Sequence, residues 1–365
     1  MKKLLYITAF PPCQKTGGQQ FSLNAIVELA QEYSVDVFYF SYPGHVCELS
    51  VTENASECEH GVSSLCDLPV KKFDFVKRFW IHPLFTRRFN TSSLHRIQSA
   101  AFNYDILYFD FSQVALYSLY IDHPHKILRM HDVMFQKFGR KNPLLAKWVT
   151  ATERKLLRSF EKVFVPSKKD AELVRTVYNI NALYTNEYLK PVHFPEECVQ
   201  KKQFVFYGYW RRLENAEGLI WFMQNVFPLL KNTHSFIVIG SGLDFSIQEK
   251  FLQPNHVNYL GFVDEPLEII LQSAAVLVPL FQGAGIKVKV IDSFTAGTPV
   301  IGTELAFEGL PEIDGLSFLA KDAKSFAEII DSFNPFSLEE KEAKAYFFDS
   351  IYNNHHLLEQ IGGKK

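Results

Sequence analysis

The sequence lacks the features that would place it in several broad classes of protein. No part of it approaches the roughly eighteen consecutive apolar residues of a membrane-spanning helix. Its five cysteines form no Cys-x-x-Cys pair and are typical of a reducing compartment. Its formal net charge of -2 disfavours a general nucleic-acid binder, whose surface would be basic. We therefore expect a cytoplasmic protein that neither spans a membrane nor binds nucleic acid.

Two ligand-binding motifs are absent as well. No Asp-x-Asp pair, which could hold a metal ion beside a phosphate, occurs in the chain. Neither the pair Gly17 and Gly18 nor the segment "GSGLDF" at 240–245 has the third glycine of a dinucleotide-binding fingerprint, which disfavours a Rossmann oxidoreductase. Cys58 and Cys66 lie among acidic residues without paired ligand spacing, so a polar surface loop is favoured over a metal site.

Length and composition indicate a globular protein with room for two domains. The chain has 365 residues, of which 47% are hydrophobic and 21% charged. Its first residues, "MKKLLYITAFPP", combine two lysines with a short apolar run that meets a proline pair. No small-residue cleavage site follows, so we expect a first buried strand and not a signal peptide.

Apolar strand patterns alternate with helical patterns in both halves of the chain, which predicts parallel sheets covered on both faces. Residues 185–202 interrupt this alternation with two prolines and mixed charge, and they form the predicted linker. The sequence therefore predicts an α/β fold of two Rossmann-like, doubly wound domains that face each other across a cleft. The predicted domains span residues 1–187 and 188–345.

The stretch "PLFQGAGIKVKVIDSFTAGTPVIGT", residues 279–303, is the most informative part of the sequence. Its apolar spacing predicts a helix over Gly285–Ala296, with Gly297 at the C-terminal cap and buried strands on either side. The first turn of such a helix presents free N–H groups at the carboxyl edge of a sheet. Lys287 and Lys289 add positive charge. The stretch therefore predicts a site for an anion.

Three further candidate sites lie at predicted strand ends, where ligands of doubly wound sheets bind. They are the pairs Gly17 and Gly18, His131 and Asp132, and Arg211 and Arg212. The glycines would allow close approach of a ligand, the histidine and aspartate would face the cleft, and the arginines would bind an anion. A simple turn, a structural histidine and a solvated loop are the alternative interpretations.

These segments, in this order, resemble the GT-B glycosyltransferases, and within them the large family 4 of retaining enzymes. The similarity covers most of the chain, and its most specific element is the glycine-rich helix block at 283–301. Further support comes from "NAEGLIWFMQNVFPLL" at 215–230, "VIGSG" at 238–242 and "EGL" at 308–310. The resemblance implies a nucleotide-diphospho-sugar donor in the C-terminal domain and an acceptor in the N-terminal domain. We also expect a C-terminal helix at residues 346–365 that returns to the N-terminal domain.

The resemblance also assigns roles to residues. It implies that the pyrophosphate of the donor lies against Gly283, Ala284, Gly285, Ile286 and Lys287, with Arg211 and Arg212 nearby. Asp292 would hold the ribose hydroxyls. Gln282 stands nearest to the family glutamate that holds the donor sugar, and with His131 and Asp132 it completes the candidate catalytic residues. The change from glutamate to glutamine is a departure from the family pattern.

Glycosyl transfer builds negative charge on the leaving diphosphate, which backbone N–H groups and a lysine can stabilise. Because no Asp-x-Asp pair is present, we expect a metal-independent reaction with no cofactor beyond the donor substrate. Retention is implied by the family alone. The expected function is sugar transfer to a glycan or lipid-linked acceptor in bacterial surface polysaccharide biosynthesis. A nucleotide-sugar epimerase of the same shape and a catalytically silent sugar-nucleotide-binding partner, which Gln282 would suit, are the alternatives.

The segment "KKFDFVKRFWIHPLFTRRF", residues 71–89, concentrates positive charge and aromatic rings. Six basic residues accompany one acid, Asp74. This combination suits the headgroup region of an anionic membrane, so peripheral contact with the inner face of the membrane is one hypothesis. The other is that the aromatic residues belong to the core and the lysines to a solvated face, because Pro83 interrupts any single amphipathic helix.

Overall fold

The computed structural model describes residues 2–50, 62–68, 81–139, 143–186, 192, 194–196, 200–283, 285–352 and 357–362. The chain divides into two compact units. The first contains residues 1–188 and 353–365, and the second contains residues 189–352. Each unit is a parallel sheet with helices between its strands.

The described residues of the first unit form a seven-stranded parallel sheet in the order β3-β2-β1-β4-β5-β6-β7. Its strands are β1 (Lys3–Thr8), β2 (Ser34–Phe40), β3 (Val62–Leu68), β4 (Ile106–Asp110), β5 (Lys126–Arg129), β6 (Lys162–Val165) and β7 (Leu183–Tyr184). The helices between these strands are α1 (Gly17–Leu29), α2 (Pro83–Thr86), α3 (Thr91–Ala101), α4 (Met134–Gly139), α5 (Pro143–Leu157) and α6 (Lys168–Tyr178). The strand order reverses between β1 and β4, and ligands bind at the carboxyl edge beside such a reversal.

The second unit repeats this design with six described strands in the order β10-β9-β8-β11-β12-β13. These strands are β8 (Lys201–Tyr207), β9 (Ser235–Ile239), β10 (Asn258–Gly261), β11 (Ser273–Val278), β12 (Val300–Gly302) and β13 (Ser317–Leu319). The helices are α7 (Leu213–Asn225), α8 (Phe245–Ile247), α9 (Pro266–Gln272), α10 (Val288–Thr295), α11 (Ala323–Ser332) and α12 (Leu338–Tyr352). Every residue of the central strand β11 is buried, as expected for a strand covered on both faces. The prediction of two doubly wound sheets is confirmed.

The end of the chain returns to the first unit as α13 (Leu357–Gly362). Leu357 and Ile361 are buried in the same cluster as Ile26 and Leu29 of α1. Lys162 donates a hydrogen bond to the carbonyl of Gln360 at 3.0 Å. The last helix therefore packs on the first unit, as expected, but residues 346–352 of the predicted segment belong to α12 in the second unit.

The structure differs from the sequence prediction at the start of α10. This helix begins at Val288, later than the predicted Gly285. Gly283 and Gly285 have φ angles of 131° and 70°, which a right-handed helix does not contain. Both glycines belong to the turn before the helix. At its other end Gly297 has a φ of 62°, as predicted for the residue that follows a helix C-terminus.

Candidate functional site

Lys289 of α10 lies at the centre of the candidate site in the second unit. Its Nζ donates to Oδ1 of Asn215 at 2.8 Å, and the amide of Asn215 donates to the carbonyl of Tyr209 at 2.9 Å. A Cβ atom on Gly208 would lie 2.9 Å from the Lys289 Nζ. Glycine at the end of β8 therefore leaves the space that this ammonium group occupies.

The ammonium group of Lys289 is held in an unfavourable electrostatic environment. Burial, together with the positive charge of Arg212, lowers the pKa of Lys289 to about 7. The negative charge of Glu214 opposes this shift only in part. A bound anion would relieve the cost of protonating this lysine. The sequence pattern named both Lys287 and Lys289, and the family resemblance placed the pyrophosphate against Lys287. Only the packing of α10 against the β8 loop singles out Lys289.

Lys287, the predicted phosphate ligand, already has protein partners. Its Nζ donates to the carbonyl of Gly285 and lies 3.6 Å from Oε2 of Glu308. Both side chains of this ion pair are largely buried. The ion pair ties the glycine-rich turn to the segment "EGL". Of the other predicted turn residues, Gly283 and Ile286 are half-buried, and Ala284 lies outside the described residues.

Asp292, the predicted ribose ligand, lies on the buried side of α10 next to β8. Its pKa is raised to about 7 by burial, while a hydrogen bond from the hydroxyl of Tyr207 opposes the shift. Burial and the neighbouring carboxylate raise the pKa of Tyr207 in turn. The buried Asp292 and the half-buried Lys289 are thus two titratable groups with shifted pKa values on one short helix beside the end of β8.

Gln282 donates from its Nε2 to the carboxylate of Glu217 on α7. Glu217 was not predicted as a site residue, although it lies within the motif "NAEGL". Beside this pair, Trp221 and Phe281 make an edge-to-face ring contact with centroids 4.6 Å apart. A carboxylate therefore stands next to Gln282, the predicted donor-sugar residue.

Arg211 and Arg212 are both exposed at the start of α7. A Cβ on Gly242 would lie 2.8 Å from Cγ of Arg211, and a Cβ on Gly240 would lie 1.9 Å from the carbonyl oxygen of Gly208. The glycines of "VIGSG" thus allow the loop after β9 to contact the loop after β8. This contact explains their presence without a dinucleotide.

At the carboxyl edge of the first unit, Asp110 and His131 form a buried pair. His131 Nε2 lies 2.8 Å from Oδ1 of Asp110, and the hydroxyl of Ser22 donates to the same carboxylate. Burial raises the pKa of Asp110, but His131, Arg129 and Ser22 together bring it below its usual value. Asp110 was not predicted, because it ends an apolar strand, β4, far along the chain from His131.

The His131 ring is also held by stacking. The ring of Phe111 lies parallel to it at a centroid distance of 3.8 Å. Phe111 has a φ of 74°, a conformation that is uncommon for a residue other than glycine. A Cβ on Gly18 would lie 3.1 Å from the Phe111 ring and 3.9 Å from His131 Nδ1. The predicted residues Gly18 and His131 are therefore neighbours at the start of α1, next to Gly17.

Near Asp132, a predicted site residue, lies the carboxyl group of Glu153, which the sequence analysis did not single out. Glu153 of α5 is buried and accepts a hydrogen bond from the hydroxyl of Tyr178. Burial raises the pKa of Glu153 to about 7, with the nearby charge of Asp132 acting in the same direction. The backbone N–H of Met134 also bonds to this carboxyl, so Glu153 holds the start of α4.

The basic and aromatic segment at 71–89 is described only from residue 81 onward. Phe85 and Phe89 are buried in the core of the first unit, as the core interpretation predicted for the aromatic residues. The remainder, residues 71–80, lies outside the described residues. In the described part of the chain, no helix is long and apolar enough to cross a membrane. The same residues contain no cluster of three or more His, Cys, Asp or Glu side chains that could hold a metal ion.

Two parallel, doubly wound units in one chain define the GT-B class of folds, and solved structures of this class resemble the chain over its whole length. HepE of Anabaena, solved in complex with UDP and glucose, matches with a TM-score of 0.69 at 11% identity over 100% of both chains. S. aureus TarM, solved in complex with fondaparinux, alpha-GlcNAc-glycerol and UDP, matches with a TM-score of 0.68 at 13% identity. That match covers 100% of this chain and 98% of TarM. At such low identity these likenesses establish the fold.

A family model matches most of the second unit. Residues 201–333 match the family model of the group 1 glycosyl transferases. The second unit therefore carries a group 1 glycosyl transferase domain, and the chain has the GT-B fold. A 44.6 kDa protein in the cps region of Klebsiella pneumoniae is 23% identical over 262 residues. That match covers 64% of this chain and 66% of the relative, about two thirds of its length.

Proposed function

We propose that the protein transfers a sugar from a nucleotide-diphospho-sugar to a glycan or lipid-linked acceptor, without a metal ion and with retention of configuration. The observation that carries this proposal is the half-buried Lys289 ammonium group beside the glycine-rich turn. HepE and TarM, which share the fold, were solved with UDP. The relative in the cps region supports a role in surface polysaccharide biosynthesis. Synthesis of such a polymer from nucleotide sugars would take place in the cytoplasm.

In this proposal the donor diphosphate lies between the turn at 283–287 and the loop after β8. The N–H groups of the turn and the first turn of α10 point toward it, and Lys289 supplies the charge. These groups stabilise the negative charge that builds on the diphosphate as the sugar leaves. Lys287 contributes by holding the turn, through its ion pair with Glu308. The exposed side chains of Arg211 and Arg212 supply further positive charge.

The donor sugar and ribose would contact the neighbouring side chains. Gln282 and Glu217 together offer an amide and a carboxylate to the sugar hydroxyls, which compensates for the missing family glutamate. Asp292 would accept from the ribose with the oxygen that Tyr207 leaves available. In the first unit, the edge that carries Gly18, His131 and Asp132 would receive the acceptor.

Contact with an anionic membrane belongs to the same proposal if the acceptor is attached to a lipid. Because Phe85 and Phe89 are buried in the core, the contact would depend on the basic residues of 71–80. Each exposed cation near such a surface contributes about 1 kcal/mol. Sedimentation with anionic liposomes at low and high salt tests this part. Absence of binding at low salt would remove the membrane contact and leave the transferase proposal in place.

A panel of nucleotide sugars, offered with and without candidate acceptors, tests the main proposal. We expect binding of at least one nucleotide sugar, slow hydrolysis alone and transfer when an acceptor is present. Lys289→Ala should lower the transfer rate about a hundredfold or more, the effect of losing one electrostatic donor to a developing anion. Lys287→Ala should also lower it, by loosening the turn. Lys202→Ala, an exposed lysine of β8, is the control.

The other outcomes identify the alternatives. An epimerase would convert the donor sugar with no acceptor present, and a silent binding partner would bind the donor without consuming it. Unchanged transfer by the Lys289→Ala and Lys287→Ala variants would contradict the assignment of the diphosphate to this turn.

A further inference from the structure

Arg88 occupies an unusual position at the carboxyl edge of the first unit. It belongs to the short connection between α2 and α3, yet its Nε donates to the carbonyl of Ala9, just after β1, at 2.5 Å. The hydroxyl of Tyr117 donates to the Arg88 carbonyl at 2.6 Å, which fixes its backbone. Arg88 is therefore held firmly beside the loop that leads from β1 to α1.

Aromatic rings surround the Arg88 guanidinium group. Its Cζ lies 4.1 Å from the ring centroid of Phe10, a cation–π contact. Phe10 makes edge-to-face contacts with Tyr42 at 5.3 Å and with Phe111 at 5.2 Å. Phe111 in turn stacks on His131. A continuous line of rings thus joins Arg88 to the histidine of the candidate acceptor edge.

The positive charge of Arg88 is not balanced within the described part of the chain. Its two Nη groups have no hydrogen-bond or ion-pair partner there, and the adjacent charged residue is Arg87, another cation. Burial lowers the pKa of Arg88 to about 10; Tyr42 opposes this shift, and Arg87 acts in the same direction as burial. A half-buried guanidinium group without a carboxylate is costly to the folded protein, and an anion would remove that cost.

We infer that Arg88, Phe10 and Tyr42 form a subsite for an acceptor sugar that carries an oxyanion, either a carboxylate on the sugar or a phosphate attached to it. This inference rests on the proposed transferase function, since it identifies the chemical class of the acceptor. The free fork of the guanidinium group is suited to donating two parallel hydrogen bonds to one carboxylate or phosphate. Tyr42, with 43% of its surface exposed, offers a ring face to the sugar.

Calorimetry with small sugars tests the subsite. The probes are glucuronic acid, glucose 1-phosphate and glucose, each titrated in the presence of saturating UDP so that the proposed donor site is filled. We expect wild-type protein to bind at least one of the two anionic sugars about tenfold more tightly than glucose, the effect of one or two charge-assisted hydrogen bonds. Preference for glucuronic acid would indicate a sugar carboxylate, and preference for glucose 1-phosphate a phosphate linkage.

Arg88→Gln should abolish this preference, whereas the matched variant Arg87→Gln, which changes an exposed arginine, should retain it. If Arg88→Gln does not fold, Arg88→Lys keeps the charge but loses the fork, and it should weaken the preference. No preference for anionic sugars in wild-type protein, or an equal preference in the Arg88 and Arg87 variants, would overturn the inference. Binding of UDP is measured on the same samples. Its absence would contradict the proposed function, and the comparison of the two arginines would still report on this subsite.

Discussion

At the scale of single residues, burial shifts the pKa values of Lys289 and Asp292 in opposite directions, and both reach about 7. Each shift favours the neutral form of its group. A diphosphate bound beside Lys289 would favour the ammonium form instead. The charge that Lys289 gives to this short helix therefore depends on whether an anion is bound beside it.

The shifted pKa of Lys289 predicts that ligand binding takes up a proton. At about pH 8 the free lysine is mostly neutral, because its pKa is about 7. Binding of UDP should protonate it, with an uptake that approaches one proton per ligand. Calorimetry in buffers of different ionisation enthalpy measures this uptake. Lys289→Met should remove it and Lys202→Met should not, whereas identical uptake in all three proteins would contradict the assignment.

The raised pKa of Asp292 predicts a pH-dependent stability. The folded protein retains a proton on Asp292 that the unfolded chain releases between about pH 4 and about pH 7. The stability contributed by this group therefore falls as pH rises through that range. Asp292→Asn should gain in Tm relative to wild type between about pH 5 and about pH 7.5. The exposed Asp264→Asn serves as control, and a parallel pH dependence of wild type and Asp292→Asn would refute the prediction.

At the scale of secondary-structure elements, the site of the second unit depends on close contact between the loops after β8 and β9. Gly240 combines a φ of 108° with a position where a Cβ would lie 1.9 Å from the Gly208 carbonyl oxygen. Gly261, at the end of β10, has a φ of 71° but no atom within 4 Å of the same position. A side chain at Gly261 would therefore cause backbone strain alone, whereas a side chain at Gly240 would cause strain and a steric clash.

Substitution of these two glycines by alanine should have different costs. Gly261→Ala should reduce the free energy of unfolding by about 1 kcal/mol, the strain of a left-handed conformation. Gly240→Ala should reduce it by about 4 kcal/mol or prevent folding, because backbone atoms must move apart. Urea denaturation measures both. Equal losses would show that the loop contact is not tight.

At the scale of the whole molecule, the last helix completes the core of the first unit. Ile361 is buried against α1, and Glu359 on the same helix is exposed. Ile361→Asp should lower the stability of the first unit by about 3 kcal/mol, since it buries an unpaired carboxylate. Glu359→Gln should have little effect. Hydrogen exchange distinguishes the units, and equal protection of the first unit in both variants would contradict this role of α13.

The transferase reaction of the whole protein should not require a metal ion. We expect activity to survive extensive dialysis against EDTA, because the leaving diphosphate would be stabilised by backbone N–H groups and by Lys289. A chromatographic assay of the transferred sugar measures this. Loss of activity that manganese or magnesium restores would show that a divalent cation takes part.

Much of the fold could be predicted because its signals are local. Strand β11 is a continuous apolar run, and Gly297 marks the end of α10 by a conformation that glycine readily adopts. Strands β3 and β13 were not predicted. The first mixes apolar with polar residues without strict alternation, and the second has only three residues, so neither carries a clear pattern. The GT-B fold was predicted from motif order and confirmed, while the roles of the individual site residues stay predictions.

The sequence by itself determined where strands end and where glycine-rich turns precede helices, because those features depend on neighbouring residues. Only the tertiary structure decided which side chains meet at those ends. Lys289 meets Asn215, Gln282 meets Glu217, and His131 meets Asp110 because strand order brings distant segments to one sheet edge. The same packing makes Lys289, in place of Lys287, the candidate ligand of the diphosphate, because burial and not sequence position sets the charge of a lysine.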